Sequence, residues 1–190
     1  MPGLRVSSHE KLMGIRGAHA FEVSFDDVLV PLNCRLGEEG SGFGTAMEVL
    51  DNSRLDVAAT SLGLAQAALD AATQWARDRK VGSEPLANRQ GIQWILADMK
   101  LRLEASWALT LQATALRTAG RNFTQQSAMA KLHASEMVGF VTDAALQIHG
   151  GYGFTREMPL ERYARDARIL RIYEGSSEIQ RTIIARGLFG

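Results

Sequence analysis

From Thr45 onward, apolar residues recur every three to four positions, the period of a helix with one buried face. Met47, Leu50, Val57, Leu64 and Ala68 mark a stripe down one long helix to about Lys80, where Ser83-Glu84-Pro85 interrupts the pattern. Ile92, Ile95, Leu96, Met99 and Leu103 mark a second helix that ends near Gly120. Ala130, Ala134, Met137, Val141, Ala144 and Ile148 mark a third, stopped by Gly150-Gly151. Shorter helices are predicted over Leu160 to Asp166 and Ser177 to Leu188. Long helices joined by short connections make an up-down bundle, so the fold class is mainly α.

The first 36 residues read differently. Ala20-Phe21-Glu22-Val23-Ser24-Phe25 alternates with period two, and Val28-Leu29-Val30 is β-branched-rich before Pro31. Both predict strands, with Asp26-Asp27 as the turn between them. Two strands alone are marginal in water and need partners. Gly37 to Gly44 is a glycine-rich joint without the βαβ context of a dinucleotide fingerprint. The chain thus divides at 36/37 into a short β remnant and a helical bundle over 37–190.

Composition narrows the chemistry. The 190 residues are 46% hydrophobic, and 21 basic residues balance 21 acidic ones. That balance gives no electrostatic reason to bind nucleic acid or an anionic membrane. No apolar run reaches the roughly 20 residues a bilayer requires. The charged N-terminus does not read as a secretory signal. The single cysteine, Cys34, cannot form an internal disulfide and suits a reducing compartment. It reads as a small, part-buried side chain. The four histidines, His9, His19, His133 and His149, have no metal-ligand spacing. No G-x-S-x-G hydrolase elbow occurs.

One stretch carries more information than the rest: Tyr173-Glu174-Gly175-Ser176-Ser177-Glu178-Ile179-Gln180. A carboxylate stands on a short Gly-Ser loop just before a helix, where it can reach a ligand alongside its own backbone N–H. The simpler reading is a helix start, with Ser176 as N-cap and Glu178 in the first turn. Asp51 and Arg54, three apart on one helix face, read as an intrahelical ion pair worth a few tenths of a kcal/mol. The run Arg162, Arg165, Asp166, Arg168 reads as inter-helix salt bridging.

The segment from Ile172 to Arg181 is similar to the C-terminal signature of the acyl-CoA dehydrogenases. Four further stretches resemble the same family in the same order: Leu12-Met13-Gly14-Ile15-Arg16-Gly17, Phe25-Asp26-Asp27-Val28-Leu29-Val30-Pro31, Gln147-Ile148-His149-Gly150-Gly151-Tyr152-Gly153-Phe154 and Glu161 through Arg168. The similarity covers nearly the whole chain, but only the end of the family's middle β domain plus its C-terminal bundle, about half of a usual member.

The resemblance implies FAD-dependent α,β-dehydrogenation of an acyl-CoA thioester. Glu174 matches the base that takes the pro-R α-proton while flavin N5 accepts the β-hydrogen as hydride. The Glu174 N–H, with the flavin ribityl 2′-OH, would hold the developing enolate oxygen. Some members carry the base instead on the first bundle helix. That position here is Ser53, so the alternative base is absent and Ser53 is expected to be a bystander. Asp51, Arg54, Tyr173 and Gly175 are implied on the substrate side. Arg79, Gln90, Gln147, Ile148, Gly150, Gly151, Ser176 and Glu178 are implied on the flavin side, with Arg79 on the diphosphate of a neighbouring subunit's FAD. His149 is expected to be structural. Arg79-Lys80-Val81-Gly82-Ser83-Glu84-Pro85 departs from the family, lacking an aromatic and carrying Glu84 where a cation is usual. An electron-transfer flavoprotein as acceptor, a homodimer or homotetramer, and a cytoplasmic or mitochondrial-matrix location are also implied. The alternative is a catalytically silent module for oligomerisation or FAD/CoA binding.

Overall fold

Five helices form the molecule: α1 (Gly42–Asp78), α2 (Gln90–Thr118), α3 (Thr124–His149), α4 (Leu160–Ala167) and α5 (Ser177–Phe189). This is the architecture of a computed structural model that describes residues 1–189. Helix α3 is the axis and packs against α1, α2, α4 and α5. Asp51 and Thr124 meet near the starts of α1 and α3, and Trp75 and His149 meet near their ends, so these two helices run parallel. Helix α2, joined to both by short connections, returns antiparallel between them, which gives the up-down order the sequence predicts.

The periodic residues account for the core. Val57, Leu62, Leu69, Met99, Leu103, Met137, Val138, Val141, Leu160 and Leu170 form one buried cluster. Leu55, Ala58, Ala113, Ala130 and Ala134 form a second, where alanines let the backbones approach. The stripe fails at its beginning: Met47 is exposed, as are Phe43 and Val49, because the first two turns of α1 have no element packed over them.

Gly120 (φ 64) and Gly150 (φ 60) end α2 and α3 in the left-handed region that favours glycine. Between α1 and α2, Gly82 (φ 68) turns a two-residue hairpin, β3 (Lys80–Val81) against β4 (Glu84–Pro85). The departure at 82–84 is therefore a tight turn, with the Glu84 carboxylate taken up by the Asn88 amide at 2.7 Å.

The N-terminal strands need correction. β2 (Val23–Phe25) lies within the predicted strand, but it pairs antiparallel with β1 (Leu4–Val6). Val28-Leu29-Val30 is not a strand: β2 takes Leu4–Val6 as its partner instead. Residues 26–40 run over the surface, and Cys34 is exposed there rather than part-buried. No helix among the described residues is long and apolar enough to cross a membrane, and none of their His, Cys, Asp and Glu side chains form a group of three that could hold a metal.

Candidate active site

The turn between α4 and α5 holds the carboxylate singled out in the sequence. Glu174 adopts φ 54 and Gly175 φ 90. A left-handed non-glycine residue is strained and persists only where its surroundings fix it. Here buried donors do so. The Gln180 amide of α5 donates to Glu174 O (3.2 Å) and Gly175 O (2.9 Å), and the Lys131 ammonium of α3 donates to Gly175 O (2.6 Å). Among the described residues the Glu174 N–H donates to nothing. The carboxylate is half-buried and accepts a hydrogen bond from the Ser53 hydroxyl of α1 at 2.6 Å. Ser53, expected as a bystander, touches the very group it was set aside for.

A polar layer lies beneath this turn. Arg54 is 4% exposed and pairs with Asp51, whose other oxygen accepts from Thr124 Oγ1 at 2.5 Å. The pair therefore ties the N-terminal third of α1 to the start of α3, and the few tenths assigned to a surface pair do not apply. Removing one partner of a buried pair costs about 3–5 kcal/mol. Lys131 is fully buried, and its pKa falls to about 8, first through burial and then through the nearby Arg54. Ser177 Oγ donates to Glu136 at 2.7 Å. Ser176 precedes α5 and accepts the Gln180 N–H at 3.0 Å. Its hydroxyl, followed by a backbone N–H, holds the Glu178 carboxyl below the usual range. Ser176 thus stands at the N-cap position with Glu178 in the first turn of α5, beside the half-buried Glu174 carboxylate.

Tyr173 borders an apolar cleft of about 410 Å³, walled by Leu12, Met13, Ile15, Ile169 and Ile172. Burial, then the Glu174 charge, raises its phenol pKa.

A second cluster sits at the far end of α1. Trp75, Arg79, Ile148, His149, Gly150, Gly151 and Tyr152 line an open cleft of about 540 Å³. Arg79 lies 5.9 Å from the Tyr152 ring centre, and Trp75 stacks on His149 at 4.9 Å. His149 Nδ1 donates to Ala145 O at 2.7 Å, and Nε2 is buried without a partner. Gln90 and Gln147 do not join this wall: both are exposed, at the start of α2 and on the outer side of α3. A guanidinium beside glycine backbone and flat aromatic walls fits a phosphate-bearing aromatic ligand such as part of FAD.

Three contributors escaped sequence reasoning: Ser53, Lys131 and Gln180. A signal existed for Lys131. It stands three, four and seven residues before the buried Ala134, Ser135 and Val138, so its phase places it on the core face of α3.

Sequence and backbone relatives identify the family. A family model, the C-terminal domain of acyl-CoA dehydrogenase, matches residues 40–189. An acryloyl-CoA reductase (NADH) of Anaerotignum propionicum is 48% identical over 97% of this chain and 47% of its own length. The mitochondrial short-chain specific acyl-CoA dehydrogenase of Bos taurus is 47% identical over 97% of this chain and 45% of its own. The structure of butyryl-CoA dehydrogenase from Megasphaera elsdenii superposes with a TM-score of 0.97 at 42% identity, covering 100% of this chain and 49% of that one. The chain spans about half the length of the relatives it matches. Members of this family are FAD-dependent flavoproteins. On the match across its bundle and the near-superposition of its backbone, the chain belongs to the acyl-CoA dehydrogenase family and carries its C-terminal helical domain.

Proposed function

We propose that this chain supplies the catalytic base of an FAD-dependent α,β-dehydrogenation of an acyl-CoA thioester. One observation carries the reading: a half-buried Glu174 carboxylate and an unengaged Glu174 N–H on one clamped, left-handed turn. The carboxylate takes the α-proton. The N–H donates to the thioester oxygen, where negative charge develops as that proton leaves. The apolar cleft beside Tyr173 suits an acyl chain. Bound flavin supplies the hydride acceptor. Among the relatives one is named a reductase and others dehydrogenases, which is the same bond chemistry run in two directions. An electron-transferring flavoprotein is the acceptor we assign.

The two clusters serve different flavins. From Ser53 to Arg79, α1 and its cap advance by about 39 Å at 1.5 Å per residue. That is farther than one dinucleotide reaches with both ends held. The Arg79 cleft therefore suits the diphosphate and adenine of a flavin whose reacting ring lies in another subunit, which makes the working unit an oligomer.

Glu174→Gln keeps the size and the backbone N–H but cannot accept a proton. In the chain complemented with an upstream half, this change should lower turnover of a short acyl-CoA by about 10² to 10⁴ and leave ligand binding intact. Activity above about a tenth of wild type, on that scale, would refute the base assignment. A wild-type assembly that binds FAD and acyl-CoA but turns nothing over would favour the silent module.

A further inference from the structure

Lys131 is a fully buried cation in the first third of α3, whose buried face is otherwise apolar residues, small hydroxyls and His149. A Met or Leu would fill the same space without desolvating a charge. Its ammonium donates to Gly175 O at 2.6 Å, the carbonyl of the residue after the proposed base. The charged groups facing it are Arg54 from α1, Glu136 from α3 itself, Glu174 from the turn and Glu178 from α5. Arg54 is already engaged by Asp51. Lys131 from α3 and Gln180 from α5 thus hold two successive carbonyls, those of Glu174 and Gly175. Each peptide unit is planar, so holding those carbonyls fixes the two planes that flank the Gly175 Cα and with them its torsions. The first of those planes begins at the Glu174 Cα, so the clamp anchors the residue that carries the carboxylate and its N–H.

We propose that Lys131 is a positioning residue for Glu174: its ammonium, held on Gly175 O, keeps the 174–175 turn left-handed so that the carboxylate and the N–H reach the substrate together. This rests on Glu174 being the base.

The 190-residue chain labelled with carbonyl-¹³C glycine tests it directly. The Gly175 resonance should move in an alkaline titration with a midpoint near 8, as the ammonium loses its proton. That step should vanish in Lys131→Met. In the complemented enzyme, Lys131→Met should lower kcat about ten- to a hundredfold, the range for a misplaced catalytic group, with KM little changed. Lys131→Gln, which still donates, should recover part of the loss. The wild-type titration needs no substitution, so a variant that fails to fold leaves the test standing. A Gly175 carbonyl that stays flat across that pH range overturns the proposal, as does an unaltered kcat in Lys131→Met while Glu174→Gln is inactive. Failure of the base assignment looks different, because Glu174→Gln then remains active.

Discussion

Glu174 owes its placement to the residue that follows it. Gly175 adopts φ 90, and a Cβ there would stand 2.6 Å from Gln180 Nε2, one of the donors that holds the turn. Gly175→Ala should therefore cost about 1–3 kcal/mol of strain. It should also displace the clamp. Thermal unfolding would show the first effect, and loss of turnover beyond what the lowered stability explains would show the second. A Gly175→Ala protein as stable and active as wild type would mean that the turn is not fixed as described. Glu174 was legible because its loop, cap and motif are contiguous in sequence. Ser53 was not, because its 2.6 Å contact spans 121 residues and nothing local to α1 announces it. Gln180 reads as any helical glutamine until its amide is seen under two carbonyls.

Among elements, α4 shows how two distant motifs can be one structure. The stretch Leu12–Gly17 and the stretch Glu161–Arg168 resemble the family separately, yet they meet. Asp166 accepts the Ile15 N–H at 2.5 Å, and Arg165 donates to Met13 O at 2.8 Å. Gly14 lies so close that a Cβ would fall 2.5 Å from Arg165 O. Ile15 itself is held at φ 46, rare for a β-branched residue. The charge run on α4 was expected to bridge helices. Instead Arg165 grips Glu161 one turn earlier in the same helix, through Nε at 2.6 Å and Nη2 at 3.0 Å, and the remaining bonds fasten the N-terminal segment. Asp166→Ala should release residues 13–15 while the bundle stays folded. Hydrogen exchange should show the Ile15 amide opening at least about tenfold faster, as expected for a local unit, with the melting temperature little moved. A global loss of protection would make this contact part of the core. The long helices were legible because a 3.6-residue period over 26 to 37 residues leaves little choice. The strand at Val28–Val30 was misread because β-branched content marks a preference and not a pairing, and Leu4–Val6 is too short to signal that it would be the partner of Val23–Phe25.

For the whole molecule, the outer face of α2 stands out. Trp94 (63% exposed) and Leu101 (68%) lie one above the other, and Trp107 and Leu111 extend the exposed apolar surface round the helix. So many large apolar side chains on one exposed side are rare on a protein that stays alone. The exposed side chains of β1 and β2 add a second surface and an unpaired strand edge. We expect the chain to self-associate at micromolar concentration and Leu101→Glu with Trp94→Glu to reduce the assembly. Light scattering coupled to gel filtration decides it: a wild-type monomer would contradict the expectation. This surface was hidden in the sequence, where an apolar residue facing a partner helix and one facing outward look the same.

Helix α1 carries Ser53 near its start and hands the chain to Arg79 at its end, without a break over 37 residues. Such a rod is a ruler that also keeps angular time. Removing one residue from its middle would turn one end by about 100° and draw it in by about 1.5 Å relative to the other. Removing a whole turn would restore the phase but shorten the span. The Ser53 and Arg79 ends of this helix are thus locked to each other by a residue count, and α1 can be repainted side chain by side chain but not re-cut.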